Sequence, residues 1–312
     1  MAEKANTIGA ATIYEGRELT EEFGQEKFTG LEGSGYNARR EREGRWKQST
    51  PDYEYDGEFK GGLKHGKGTI EYKNGLTYTG EWRNGLWHGK GELIETFFYK
   101  KFVTRYRGEF VNGKKEGKGF QELKNGMTYD GKFKDGLFEG EGILKDSVKY
   151  KYEGKFHKGK MEGQGKEDYS DNSSYSGEFR GGVRDGYGTF NSKDGYMYEG
   201  YWRYGVKQGI GFEFNNNVGL QASMSTKEKF IYEGEFWNNK RHGIGKYLDV
   251  NGDYYIGGWV EGKKQGLGFK SVRASETWTL SEYMPDRDPI RIDGNEKETP
   301  DFLSGYHLVI EN

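Results

Sequence analysis

Three histidines, His65, His88 and His242, each stand directly before a glycine in the string His-Gly-x-Gly. A neutral imidazole can ligate zinc or move a proton, but either task needs a fixed set of partners converging on one point. The same string recurs with Glu116, Glu139, Glu162, Asp185, Gln208 and Gln265 in place of the histidine. A position that accepts imidazole, carboxylate and carboxamide alike is a polar turn position. His157 and His307 have no evident partner in the sequence. The Gly-x-Gly pairs could cradle a phosphate if a helix followed them, but each leads into a strand. Asp249, Asn251 and Asp253 have the opening spacing of a calcium loop, yet Tyr254 takes position six, where that loop needs Gly, and Val260 takes position twelve, where it needs Glu. No Ser/His/Asp set and no nucleotide fingerprint is present. The chain has no cysteine, which excludes disulfides, thiol catalysis and Cys-ligated zinc. The expectation is a protein with no catalytic residue, no metal and no cofactor, that is, not an enzyme.

These strings belong to a longer pattern that sets the architecture. Tyr-x-Gly-x-aromatic-x-x-Gly-x-x-x-Gly-x-Gly begins at Tyr55, Tyr78, Tyr106, Tyr129, Tyr152, Tyr175, Tyr198, Tyr232 and Tyr255. The usual spacing is 23 residues, stretched to 28 before Tyr106 and to 34 before Tyr232. Each repeat places an aromatic four residues after the tyrosine: Phe59, Trp82, Phe110, Phe133, Phe156, Phe179, Trp202, Phe236 and Trp259. Residues at i, i+2 and i+4 share one face of a strand, so Tyr, Gly and Phe/Trp form a core face. The residues between them, such as Asp56 and Glu58, face the other way. Asn-Gly and Asp-Gly pairs, among them Asn84-Gly85, Asn112-Gly113 and Asp135-Gly136, are the strongest short-range hairpin signal. The middle glycine becomes Asn239 in the eighth repeat, a natural replacement where φ is positive.

Composition agrees. A mean hydropathy of -1.04 with 31% charged residues would suit a disordered chain, but 24 Tyr, 19 Phe and 7 Trp do not. All four prolines lie outside 52–284, as a long run of paired strands requires. A net charge of -2 gives no reason to expect nucleic acid. No signal peptide and no membrane-spanning stretch is apparent, so the reading is a cytoplasmic protein.

The strings YDGEFKGGLKHGKG, YTGEWRNGLWHGKG and YEGEFWNNKRHGIG closely resemble the MORN motif over residues 55–268. The expected fold is all-β: an elongated, twisted, single-layer antiparallel β-meander of nine hairpin repeats, roughly 85 Å long at about 4.8 Å per strand. Residues 1–54 would hold an N-terminal segment with a degenerate half-repeat at Gly33–Tyr36, residues 55–270 the nine repeats, and residues 271–312 a capping strand and polar tail. Trp278, 23 residues after Tyr255, is in register for a tenth tyrosine, and the stretch 38–47 reads as a solvated connector.

The resemblance implies an aromatic-lined groove that binds other proteins, in the manner of axonemal radial-spoke and cytoskeletal MORN scaffolds. The expected place is a cilium, axoneme or other cytoskeletal structure, with complex subunits as partners and a homodimer as a further option. A phospholipid-binding membrane tether or an accessory subunit of an enzyme complex is the alternative. The 48 basic against 50 acidic residues supply no excess for lipid attraction. The first insertion, 92–105, reads as an extended hairpin and the second, 213–231, as a loop. Phe97, Phe98, Tyr99 and Phe102, with Trp87, are the partner-binding candidates; folding back over a neighbouring strand is the other reading of the insertion aromatics.

Overall fold

The structure is a computed structural model that describes residues 6–8, 11–13, 20–23, 25–97, 102–215, 230–273, 277–284 and 287–296. It is all-β, with no helix among the described residues, and divides into two compact halves, Met1–Lys160 and Met161–Asn312. Within each half, successive strands pair antiparallel in chain order over the repeats.

The first repeat shows the local logic. Strands Tyr53–Lys60 and Leu63–Tyr72 are joined by Gly61 and Gly62, both at positive φ (56° and 73°). Two consecutive positive-φ residues make a type I′ turn, whose twist matches that of the flanking strands. The other turns inside repeats do the same with Asn84-Gly85, Asn112-Gly113, Asp135-Gly136, Lys158-Gly159, Gly181-Gly182, Tyr204-Gly205, Asn238-Asn239 and Glu261-Gly262. Connections between repeats are different. At Gly75, Gly126, Gly195 and Gly252 the glycine N–H donates three residues back and takes the positive φ alone.

The glycine pairs set how closely the strands and rings approach. Gly57 pairs with Gly68, after which the register slips so that Glu58 faces His65 and Gly66-Lys67 form a bulge, with Gly66 at φ 58°. The slip recurs at Gly80, Gly108, Gly131, Gly177, Gly200, Gly234 and Gly257. A Cβ on Gly131 would lie 2.4 Å from the Tyr129 hydroxyl and 2.7 Å from Gly142 Cα. The tyrosine ring rests on the glycine pair, and no larger residue leaves it space.

Both ends differ from the expectation. At the front, Glu26–Gly30 pairs with Arg42–Ser49, setting Phe28 and Gly30 opposite Gln48 and Trp46. With Gly44 opposite Phe59, the degenerate repeat is Phe28-x-Gly30 closing on Gly44-x-Trp46. It is not Gly33–Tyr36, and residues 38–47 are not a solvated connector. Trp46 is fully buried and donates its indole N–H to the Glu43 carbonyl at 2.9 Å. At the far end, Ser281 pairs with Gly268 and Tyr283 with Gly266, so Thr279, Ser281 and Tyr283 take the Tyr, Gly and aromatic positions. Trp278 is one residue out of register and faces the other way. A further strand, Arg287–Glu296, follows Thr277–Met284.

In the first insertion, strands Leu86–Phe97 and Phe102–Val111 pair to the end, Phe97 opposite Phe102. In the second, Val206–Asn215 pairs with Phe230–Trp237 as far as Asn215 opposite Phe230. Residues 216–229 lie outside the described residues.

Gly131→Val should therefore cost about 3 kcal/mol or more by overpacking against Tyr129 and the Gly142 backbone. Exposed Lys134→Ala should stay within about 0.5 kcal/mol. Thermal melts of the two variants with the parent chain test this directly; equal melting temperatures would show that the two faces are wrongly assigned.

Candidate functional site: the aromatic face and its lids

The signature rings form a ladder on one face. Each tyrosine meets its own repeat's aromatic edge-on, as in Tyr106–Phe110 (5.1 Å between ring centroids) and Tyr232–Phe236 (5.1 Å). Within each half a tyrosine also meets the next repeat's, as in Tyr106–Phe133 (4.9 Å) and Tyr232–Trp259 (5.2 Å). The edge-to-face arrangement matches the ring quadrupoles and is worth about 0.5–1.5 kcal/mol per pair beyond burial. All eighteen signature rings are buried, none more than 6% exposed. They are core, and they are not themselves available to line a groove.

The bulge explains why the first aromatic is tyrosine. Each hydroxyl donates to the backbone carbonyl three residues on: Tyr55 to Glu58, Tyr129 to Lys132, Tyr198 to Tyr201 and Tyr255 to Gly258, at 2.9–3.0 Å. That carbonyl lies at the register slip, where the ladder is interrupted. Phenylalanine would fill the space and leave the carbonyl without this donor. Burial pushes these phenols up, Tyr129 to about 12 and Tyr55, Tyr78, Tyr106, Tyr175, Tyr198, Tyr232 and Tyr255 further.

Apart from Trp87, sequence reasoning missed the residue nine positions after the tyrosine, which in eight repeats covers the ring from outside. In the first half Trp87 stacks on Tyr78 (4.7 Å, 14°) and Phe138 on Tyr129 (3.7 Å, 10°). Lys64 and Lys115 cover Tyr55 and Tyr106 with their ammonium groups 5.2 and 4.9 Å from the ring centroids. In the second half all the lids named here are cations: Arg184 over Tyr175 (4.4 Å), Lys207 over Tyr198 (4.8 Å), Arg241 over Tyr232 (5.1 Å) and Lys264 over Tyr255 (4.6 Å). Even the degenerate repeat keeps the feature, with Arg42 3.4 Å over Phe28. The detectable signal was a large or cationic side chain at a fixed offset.

The lids differ in their counter-charges. Arg184 is held by Glu167 at 2.8 Å, while Lys207 (3.2 Å) and Arg241 (2.8 Å) share Glu213. Tyr196 donates to Glu213 and contacts Lys207. Desolvation works to raise the Glu213 carboxyl, but the two cations outweigh it and hold it below its ordinary range. In the first half Lys64 donates to the Tyr53 hydroxyl (3.2 Å) and Lys115 to the Gln121 amide oxygen (3.1 Å). Neither forms an ion pair among the described residues. Burial pulls Lys64 down to about 8 and lowers Lys115 as well.

The polar position before the closing glycines is also explained. Glu116, Glu139, Glu162 and Asp185 accept the N–H of a turn residue in the next repeat, Asp135, Lys158, Gly181 and Tyr204 respectively, at 3.0–3.2 Å. Where histidine stands there, Nδ1 of His65, His88 and His242 is buried without a hydrogen-bond partner among the described residues. His157, unpartnered in the sequence reading, contacts Glu139 at 3.1 Å. No group of three His, Cys, Asp or Glu side chains able to hold a metal occurs among the described residues. Of the partner-binding candidates, Trp87 is a half-buried lid. Phe97 and Phe102 are placed only as paired backbone, and Phe98 and Tyr99 lie outside the described residues.

A string of hairpins sharing one glycine-seated aromatic core is a β-repeat scaffold. The MORN repeat family model matches residues 55–77, 78–94, 106–128, 129–147, 152–174, 175–195, 198–217, 232–254 and 255–271, more than half of the chain, which therefore belongs to the MORN-repeat family. Repeats of this family are non-enzymatic scaffold units that bind protein or lipid. A search of curated proteins finds no match to the chain.

Two results should follow. Tyr129→Phe keeps the ring but strips the Lys132 carbonyl of its donor, at about 1–2 kcal/mol, measurable by denaturant titration. Because the folded phenols are raised above the unfolded value near ~10, their contribution is present below that pH and lost as pH rises through the folded values. Tyrosinate absorbance should therefore show the signature tyrosines ionising only as the fold is lost. One smooth transition near pH ~10 with the fold intact would contradict the burial.

Proposed function

We propose that the protein is a non-enzymatic scaffold that binds a segment of another protein along the aromatic face of its first half. In this reading it is a cytoplasmic structural component of a ciliary axonemal, radial-spoke-like, or other cytoskeletal complex. The observation that carries the binding part is the lid row Lys64–Trp87–Lys115. A half-buried indole lies between two partly desolvated ammonium groups that form no ion pair among the described residues, Glu26 and Glu95 attracting them only from further off. An extended partner offering carbonyl or carboxylate oxygens to the lysines and an apolar side chain to Trp87 would satisfy all three, as interface hot spots do. The axonemal part rests on the resemblance of the repeats to scaffolds of that kind.

A membrane tether is the second reading and is less favoured, since the chain carries 48 basic and 50 acidic residues and attraction to anionic lipid needs a basic face. Proximity labelling from the tagged protein in a ciliated cell, run in parallel with Trp87→Ala, tests the proposal. Axonemal or cytoskeletal neighbours should be enriched, and the main one should fall at least several-fold in the variant at equal expression. Lipid-associated neighbours that persist in Trp87→Ala would overturn both the site and the setting.

A further inference from the structure

The face of the sheet away from the signature rings changes character between the halves. The residue between the closing glycines projects from it, and in the first half it is Lys67, Lys90, Lys118 and Glu141. In the second half it is Gln164 in the first repeat unit and then becomes Tyr187, Ile210, Ile244 and Leu267, these four exposed by 45%, 58%, 57% and 60%. Leu267 pairs with Glu282 and Glu282 with Ile290, itself 46% exposed, which extends the row to the Arg287–Glu296 strand. Four residues along the strands runs a second apolar row in which Met197 pairs with Phe214, Phe214 with Ile231, Ile231 with Leu248 and Leu248 with Tyr254. The other face of these strands already buries the signature rings. A single-layer sheet that is apolar on its second face as well calls for another layer over it.

Charge identifies the kind of layer. Glu233 and Glu235 are exposed on this face, and Glu199 and Glu282 are half-buried there. Against them stands Lys246, opposite Glu233, its ammonium pushed down by desolvation. A second copy packed face to face would set these carboxylates near their own counterparts, and an anionic membrane would be repelled by them. The two rows lie about 13 Å apart, four residues at ~3.3 Å, close to the ~10–12 Å width of a helix with its side chains. Nine strands at ~4.8 Å make the first row about 38 Å long, the length of a helix of roughly 25 residues, and the second row flanks about half of it, over five strands.

We propose that the outer face of the second half docks an amphipathic helix of another protein, apolar along one side and basic along its flanks. Apolar side chains would seat between the two rows, with lysine or arginine reaching the Glu233 carboxylate. This surface is separate from the Lys64–Trp87–Lys115 row and stands or falls independently of it.

The test uses the full chain and a fluorescent 24-residue peptide of Leu and Lys in amphipathic helical order, with a Leu/Glu peptide of the same pattern as control. Fluorescence anisotropy should show the Leu/Lys peptide binding at least ten-fold more tightly than the control and weakening with salt. Ile244→Lys should weaken it at least ten-fold and Glu233→Lys several-fold, while Trp87→Ala leaves it unchanged. Both substituted side chains are exposed, so circular dichroism and melting should match the parent. Equal affinity for the two peptides, or no loss in Ile244→Lys, overturns the proposal. So does a dimer in sedimentation, or binding to anionic vesicles, that Ile244→Lys abolishes. Binding of the peptide only after deletion of residues 297–312 would assign the face to the chain's own end, and would equally refute it.

Discussion

The structure depends on a tyrosine ring lying over two facing glycines. Without Cβ atoms, Gly131 and Gly142 let the Tyr129 ring sit against the backbone, its hydroxyl 2.4–2.5 Å from where those Cβ atoms would be. The bulge beside them interrupts the ladder at the next carbonyl, and the phenol donates to that carbonyl. Shape, backbone hydrogen bonding and ring orientation are thus fixed by one contact. Because the next repeat's aromatic packs edge-on against the same ring, each repeat prepares the seat for its neighbour, as linear repeat arrays require. The turns add a second tie: the Gly85 and Gly136 N–H groups donate to the carbonyls of Lys64 and Lys115 in the preceding repeat.

This economy leaves few positions open for recognition. The tyrosine, the glycines and the Phe/Trp are consumed by the core, and the acidic residue before the closing pair is consumed by the next turn. Glu58, Glu81, Glu109, Glu178 and Glu235 are engaged as well, each accepting the N–H of the residue between the closing glycines. What can vary without damaging the array is the lid on one face and the between-glycine residue on the other. Those positions are where the two halves differ: mixed aromatic and cationic lids over a lysine-rich outer row in the first, cationic lids over an apolar outer row in the second.

The fold was legible because its signal is periodic and its requirements are steric. A positive-φ glycine and an i, i+2, i+4 aromatic face leave the same mark in every copy. The ends were harder to read because the same geometry is met there by other residues. Phe28 stands for tyrosine and Trp46 for a glycine, so a search for Tyr-x-Gly passes over that repeat. At the other end Trp278 has the right spacing, but the strand is shifted by one residue and Tyr283 does the packing. Trp87 was singled out as an aromatic, but the lids as a set were missed because Lys64, Trp87, Phe138 and Arg241 share no residue class. Their common task, to cover a ring, appears only once the ring is placed. The insertion aromatics were read from their hydrophobicity alone, and the lid at Trp87 has the clearer geometry.

The cationic lids bear on function because the fold does not require them to be charged. Phe138 covers Tyr129 with its ring 3.7 Å away and no charge to desolvate, and Trp87 does the same for Tyr78. Lys64 does the equivalent job while burial pulls its ammonium down to about 8, a destabilising use of a charged group. For Arg184, Lys207 and Arg241 that cost is offset by Glu167 and Glu213 within the face, whereas Lys264 forms no ion pair among the described residues and is likewise pulled down by burial. Among the described residues Lys64 and Lys115 donate to neutral acceptors, a tyrosine hydroxyl and a glutamine amide, with Glu26 and Glu95 attracting them without an ion pair. A flat apolar lid would serve the core at least as well at both positions. This favours a role in which such ammonium groups meet something outside the chain, and in the first half Lys64 and Lys115 flank the half-buried Trp87, which suits a carbonyl-rich partner that also offers an apolar side chain.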